Sequence, residues 1–258
     1  MTNRAESDFS RDADTLSETR MTPEESLAQA ETIVRRIVAQ QHDRPSLVPE
    51  IAVKLGAEIV EGLRPPGSDL NSVDLARRFD TSRTPIREAL LLLEKQGLIT
   101  IPPRRRPTVF TFDLEQIREI YELRGRLLEL VAAHIAARAA PEDIAAFKRQ
   151  LAEMVRNQGD LRAFLWSNVA FHDRMTATGG NRLAKSIVDS LLLRTLPLRR
   201  LSLSQPARVS KSLDDHQRLT RAFEERDPTL AAALVRSNHM SALATLEDTI
   251  RARSSQSV

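Results

Sequence analysis

The chain has 258 residues, and its 38 Lys and Arg against 35 Asp and Glu give a formal net charge of +3, too small to indicate nucleic-acid binding by itself. The absence of cysteine excludes disulfides, thiolate metal sites and a cysteine nucleophile, and eight glycines without a glycine-rich loop argue against a nucleotide-dependent enzyme. No run reaches the ~20 apolar residues of a membrane helix, and the polar N-terminus is unlike a signal peptide, so we expect a cytoplasmic protein with no membrane partner.

The length predicts about two domains, and breaks in the pattern divide the chain into four segments. Residues 1–48 form an N-terminal extension, in which residues 1–20 lack periodicity and are predicted to be disordered. Pro23, followed by Glu24 and Glu25, predicts one helix that continues to about Gln41. The remaining segments are 49–112, 113–251 and a short tail, 252–258.

The segment 49–112 has the order helix, helix, turn, helix and hairpin. Helices are predicted at Val48–Glu61, Ser72–Phe79 and Arg83–Gln96, and strands at Leu98–Ile101 and Thr108–Phe112. This order predicts a winged helix-turn-helix, which places its second helix in the major groove of DNA.

The turn between the two short helices carries the residues that such a turn requires. We expect Asp80 to adopt a positive φ, which Asp tolerates better than most residues. Ser82 is predicted to cap the second helix, and Pro85 falls in its first turn, where a missing N–H costs little.

Several arginines of this segment are predicted to meet DNA. Arg83, Thr84 and Arg87 project from the N-terminal end of the second helix, and arginine can bind guanine through two hydrogen bonds. Arg104–Arg106 lie at the hairpin tip, where phosphate or a minor groove would be in reach. The alternative is a helical hairpin whose arginines face solvent.

Four stretches resemble the winged helix-turn-helix of the GntR family of bacterial transcriptional regulators. They are Pro66–Leu70, Asp74–Phe79, Ser82–Leu90 and Leu93–Ile99. The resemblance implies that residues at the start of the second helix and at the wing tip contact operator DNA. The candidate DNA-binding residues are Ser82, Arg83, Thr84, Arg87, Arg104, Arg105 and Arg106.

Beyond residue 113 the pattern is entirely helical, so the chain as a whole is predicted to be mainly α. The predicted helices, which form an all-α six-helix bundle, span residues 113–138, 142–156, 160–177, 181–203, 210–226 and 228–251. We expect Pro197 to kink the fourth helix, because proline removes one backbone hydrogen bond and clashes with the preceding turn.

Three helices of the bundle each carry one histidine on an apolar face. These residues are His172, His216 and His239, and Asn168 lies one turn before His172, so both can reach one point. Three imidazoles and an oxygen donor suit Zn²⁺ or Ni²⁺. The alternative is that they are core histidines, as we expect for His134, which also lies on an apolar stripe.

The bundle also resembles the FCD ligand-binding domain of FadR-type GntR regulators, through Tyr121–Arg124, the Asn168–His172 pair, Asp215–His216 and His239. This resemblance implies that Asn168, His172, His216 and His239 hold a divalent metal, less tightly than with aspartate at position 168. It also implies a small organic acid as effector, bound by Arg124 and Arg194; otherwise these arginines lie on the surface.

The leading hypothesis is a non-enzymatic regulator that binds a palindromic operator as a homodimer and responds to a small carboxylate. A metal-dependent enzyme that uses the three histidines is the alternative, although no carboxylate base accompanies them in the sequence. A non-specific architectural DNA binder is a third hypothesis, against which the low net charge argues.

Overall fold

The structure is a computed structural model that describes residues 20–39 and 47–255. The predicted disordered segment therefore lies outside the described residues, apart from Arg20. The helices are α1 (Pro23–Ala39), α2 (Leu47–Val60), α3 (Ser72–Arg78), α4 (Arg83–Lys95), α5 (Leu114–Arg138), α6 (Pro141–Arg156), α7 (Leu161–Thr178), α8 (Arg182–Ser190), α9 (Leu192–Leu203), α10 (Arg208–Glu224) and α11 (Pro228–Ser255). None of them is long and apolar enough to cross a membrane.

The winged helix-turn-helix is confirmed in helices α2, α3 and α4 and a two-stranded hairpin. Strands β1 (Ile99–Thr100) and β2 (Thr108–Val109) pair antiparallel, with Ile99 opposite Val109. Both strands are shorter than predicted. Pro102, Pro103 and Pro107 explain the short ladder, because proline has no N–H to donate to a neighbouring strand.

The turn between α3 and α4 confirms two of its three predicted features. Asp80 has φ +48°, and Pro85 lies in the first turn of α4. Ser82 occupies the N-cap position, but its side chain makes no capping hydrogen bond. Pro85 supplies the reason: it occupies the third helical position, so one of the two N–H groups that a cap normally binds does not exist.

The C-terminal domain differs from the predicted six helices in one place, because the fourth predicted helix is two helices. α8 ends where Leu191 donates its N–H to the carbonyls of both Ile187 and Val188, at 3.2 Å each, a tightened last turn. Pro197 lies inside α9 and not at the break. In addition, α11 continues to Ser255, into the predicted tail.

Two sets of contacts organise the chain. In the C-terminal domain α5 packs along α11, and α10 packs against both α6 and α11. The N-terminal helix α1 packs along α2 of the winged domain and also contacts α7 of the C-terminal domain. The apolar residues of its buried face are Ala30, Val34, Ile37 and Val38.

Candidate functional site

The first candidate site is a cleft of about 570 Å³ between α4 and the hairpin. Arg83 and Arg87 line it from α4, and Arg105 and Arg106 line it from the hairpin tip. Its lining contains no acidic residue. The structure therefore brings four of the predicted DNA-binding arginines together around one opening, where guanidinium groups can reach both base edges and phosphates.

The other three predicted DNA-binding residues, Ser82, Thr84 and Arg104, are exposed next to this cleft. Arg104 has φ +61°, a conformation that favours glycine. Because no side chain caps α4, its N-terminus is also open to an anion. Arg106 has one acidic neighbour, Asp69, at 3.5 Å, and both side chains are more than half exposed, so this ion pair is weak.

The second candidate site is a small pocket inside the C-terminal domain. Three arginines line it: Arg124 from α5, Arg199 from α9 and Arg208 from α10. Its lining includes no carboxylate. Burial lowers the pKa of Arg124 to about 10 and that of Arg199 to about 9, so both stay charged at neutral pH.

Two of the predicted histidines, His172 and His239, line this pocket, and His216 lies behind it next to Asn168. The ring of His172 lies 5.2 Å from that of His216 and 5.8 Å from that of His239, measured between centroids. Burial, followed by the nearby arginines, lowers the pKa of His172 far below its ordinary value. It also lowers the pKa of His216 to about 4, so the imidazoles are neutral near pH 7.

Backbone carbonyls orient two of these rings. The Nδ1 atom of His216 lies 2.6 Å from the carbonyl of Ser212, and Nδ1 of His239 lies 3.0 Å from that of Val235. A carbonyl can only accept, so each Nδ1 carries the proton and each Nε2 presents a lone pair. This is the tautomer that a metal-binding histidine or a hydrogen-bond acceptor needs.

Guanidinium groups contact the side chains of two of the four predicted metal ligands. Arg199 Nη2 donates to Asn168 Oδ1 at 2.6 Å, and Arg124 Nη1 donates to His239 Nε2 at 2.5 Å. Within residues 20–39 and 47–255, no group of three or more His, Asp or Glu side chains is arranged to hold an ion. The donor types fit Zn²⁺ or Ni²⁺, but both arginine contacts must open before an ion can bind.

The pocket also holds an unusual concentration of unpaired polar atoms. The buried side-chain atoms of the pocket that lack a hydrogen-bond partner among the described residues are Tyr121 Oη, Arg124 Nε, His172 Nδ1, Arg199 Nη1, Ser202 Oγ, Arg208 Nε and Arg208 Nη1. Nearly all are donors, and an unpaired buried donor costs about 1–3 kcal/mol. An acceptor-rich anion would satisfy several of them at once.

One predicted effector-binding residue, Arg194, does not reach the pocket, so that prediction is wrong. Its Nε points to the backbone carbonyl of Gln96, just beyond α4, at 3.4 Å. Its side chain packs against Gly97, where a Cβ would lie 2.2 Å from Arg194 Nε and would displace this side chain. Arg199, which the sequence reasoning missed, takes the expected place, while Arg124 lies in the pocket as expected.

The pocket residues that were missed share a common signal. Arg199, Arg208 and Tyr121 are polar residues at positions that a helical period would bury. A buried arginine without an acidic neighbour in the same helix is rare, and this could have marked Arg199.

Comparisons with known proteins match both domains to known families. Residues 47–109 match the model of bacterial regulatory proteins of the gntR family, and residues 119–242 match the FCD domain. The HTH-type transcriptional regulator YdhC of Bacillus subtilis is 29% identical over 170 residues, 65% of this chain and 75% of that protein. The galactonate operon transcriptional repressor of Escherichia coli is 28% identical over 199 residues, which are 69% of this chain and 86% of that protein.

A solved structure shares the fold. The E. coli McbR/YncC structure superposes with a TM-score of 0.67 at 22% identity, covering 80% of this chain and all of that one.

A winged domain joined to a helical domain with a charged pocket defines a ligand-responsive DNA-binding transcriptional regulator. The chain belongs to the GntR family and carries an FCD domain. The matched families and relatives are regulators and not enzymes, so the metal-dependent enzyme hypothesis has no support.

Proposed function

We propose that the effector of this regulator is a small carboxylate, held by Arg124, Arg199 and Arg208, that changes the affinity of the winged domain for operator DNA. The observation that carries the proposal is the set of unpaired buried donors. All but one of the unpaired buried side-chain atoms in the described ranges belong to this pocket.

Charge supports a carboxylate. Three guanidinium groups without a carboxylate partner in the lining favour an anion, and arginine can bind a carboxylate through two parallel hydrogen bonds. Ser202 and Tyr121 add hydroxyl donors, which suit a hydroxylated acid. The galactonate in the name of one relative is a hydroxylated acid of this class, so D-galactonate is the first probe.

Thermal shift and DNA binding with D-galactonate and related sugar acids test this proposal. We expect a binding acid to raise Tm and to change operator affinity, and Arg199→Gln to abolish both effects. Arg194→Gln is the matched control, because Arg194 lies outside the pocket and should leave both effects intact. Equal responses from the two variants would place the acid elsewhere.

A divalent ion is a second candidate ligand, and the specific observation in its favour is the tautomer of His216 and His239. We propose that Zn²⁺ or Ni²⁺ binds Asn168, His172, His216 and His239 once the guanidinium groups move to an effector. The ion would supply positive charge to the acid. Stoichiometric metal in the purified protein, lost in His216→Gln but kept in His134→Gln, would support this; metal-free protein that ignores added Ni²⁺ and Zn²⁺ would contradict it.

We propose that the active form is a homodimer on a palindromic operator, acting in the cytoplasm where that DNA lies. Each winged domain reads one half-site, so two-fold symmetry doubles the sequence read. Support comes from exposed leucines on two neighbouring helices: Leu123 and Leu130 on α5, which are 48% and 41% exposed, and Leu183 on α8, which is 72% exposed.

A further inference from the structure

The N-terminal helix α1 lies outside both segments that the family models match, 47–109 and 119–242. It nevertheless contacts both domains closely. A Cβ on Gly56 of α2 would lie 2.9 Å from Val34 Cγ1, so only glycine allows α1 this close to the winged domain. On its other side, Arg36 forms an ion pair with Asp173 of α7.

A buried chain of hydrogen bonds passes through α1. Trp166 Nε1 on α7 donates to Ser26 Oγ at 2.9 Å, and Ser26 Oγ donates to Glu61 Oε1 at 2.9 Å. Glu61, at the end of α2, also accepts from Arg200 Nη1 of α9 at 2.7 Å. Ser26 is completely buried, so one hydroxyl group joins the winged domain to the C-terminal domain.

The same two helices, α7 and α9, carry the pocket residues next to the ends of this chain. Trp166 is two residues from Asn168, and Arg200 follows Arg199, which donates to Asn168 Oδ1. The α1 partner Asp173 follows His172. A shift of α7 or α9 at the pocket therefore moves the groups that hold Ser26 and Glu61.

We propose that α1 is the coupling element of this regulator: Ser26 and the Glu61–Arg200 ion pair set the position of the winged domain relative to the pocket helices. The role of the pocket as the source of the signal rests on the proposed function. The bridge itself does not depend on an effector. In this arrangement Ser26 and Glu61 are positioning residues that touch neither DNA nor effector.

The fluorescence of the protein reports directly on the bridge, because Trp166 is the only tryptophan of the chain. Trp166 is buried in the C-terminal domain, so DNA cannot touch it. The experiment uses the full chain and a DNA duplex that the wild type selects from a random library. DNA affinity, Trp166 emission with and without the duplex, and Tm are measured for the wild type and for Ser26→Ala.

We expect the duplex to change Trp166 emission in the wild type. In Ser26→Ala this change should fall at least about fivefold, while DNA affinity stays within about fivefold. Thr32→Ala is the matched control, since Thr32 is an exposed hydroxyl of the same helix that bonds only to the carbonyl of Ala28. It should respond like the wild type.

A wild type whose emission ignores DNA, or a Ser26→Ala variant that responds fully, would overturn the proposal. If Ser26→Ala does not fold, Glu61→Gln takes its place, because glutamine keeps the side-chain size but removes the charge that holds Arg200. A Glu61→Gln variant whose Trp166 emission responds fully to DNA would also overturn the proposal. The measurement needs no effector, so the failure of every acid to bind would count only against the proposed function.

Discussion

Arg87 projects from α4 into the cleft beside the hairpin, where no acidic side chain competes for it. A guanidinium at this place can bind O6 and N7 of a guanine through two hydrogen bonds. We therefore expect Arg87→Ala to weaken operator binding by about 1–3 kcal/mol and to relax the preference at one base pair. Binding of selected and substituted duplexes measures both effects.

Arg221→Ala is the control for this change, since it removes the same charge from an exposed position on α10 of the other domain. It should bind the operator like the wild type. Equal affinities for all three proteins would show that α4 does not read the operator.

The buried histidines predict how stability depends on pH. The folded-state pKa of His216 is lowered to about 4, whereas an unfolded chain takes up this proton below about 6.5. The unfolded state then binds more protons than the folded state, so stability is lost as pH falls from about 6.5 towards 4. At pH 5.5, His216 alone should cost about 1 kcal/mol of stability relative to neutral pH.

Urea unfolding in EDTA at pH 7.5 and 5.5 measures this loss. His216→Gln should lose about 1 kcal/mol less stability than the wild type between the two pH values. A His216→Gln variant with an unchanged difference would show that His216 is accessible to protons in the folded protein.

At the same scale, the sequence could predict which residue types form the pocket but not which arginine enters it. Arg194 and Arg199 are five residues apart on one predicted helix, so they face different directions. Which of them faces inward depends on where α9 begins. That point, Leu191, carries neither glycine nor proline to mark it.

At the scale of elements, local chemistry made most helix boundaries predictable. Pro141, Pro228 and the glycines at 62 and 97 mark ends that the structure confirms within a few residues. The missed features arise from interactions between neighbouring elements. The split of α8 from α9 has no marker in the sequence, and the capping bond of Ser82 is lost because Pro85 follows it.

The hairpin is the element whose charge should control the general affinity for DNA. Arg105 and Arg106 lie at its tip and can meet phosphates. Each phosphate contact releases counterions, so we expect Arg105→Gln to weaken binding to specific and random duplexes alike and to reduce the slope of log K against log salt by about 1. An unchanged slope would show that the tip stays in solvent.

At the scale of the molecule, the pocket draws on residues from α5, α7, α9, α10 and α11. Helical periodicity predicted that several of these residues face inward. It could not predict that Arg199 and Asn168 meet, because that contact joins residues 31 positions apart on different helices. The contacts of α1 could also not be predicted from the sequence, since its partners lie in both domains.

Exposed apolar side chains on α5 and α8 place the expected dimer interface in the C-terminal domain. Leu183 is 72% exposed there, and a leucine so open to water gains by burial against a second copy. We therefore expect a mass of about twice the 29.0 kDa of one chain in light scattering at micromolar concentration. The two winged domains would then meet half-sites about 34–36 Å apart on one face of the DNA.

The double variant Leu130→Glu and Leu183→Glu should dissociate this dimer, because each charge would be buried at the interface. It should also bind a full palindrome no more tightly than a single half-site, whereas the wild type prefers the palindrome strongly. Leu63→Glu is the matched control, since Leu63 is 65% exposed but lies in the winged domain. A double variant that remains dimeric would move the interface to another surface, and a monomeric wild type would leave each winged domain to read its half-site alone.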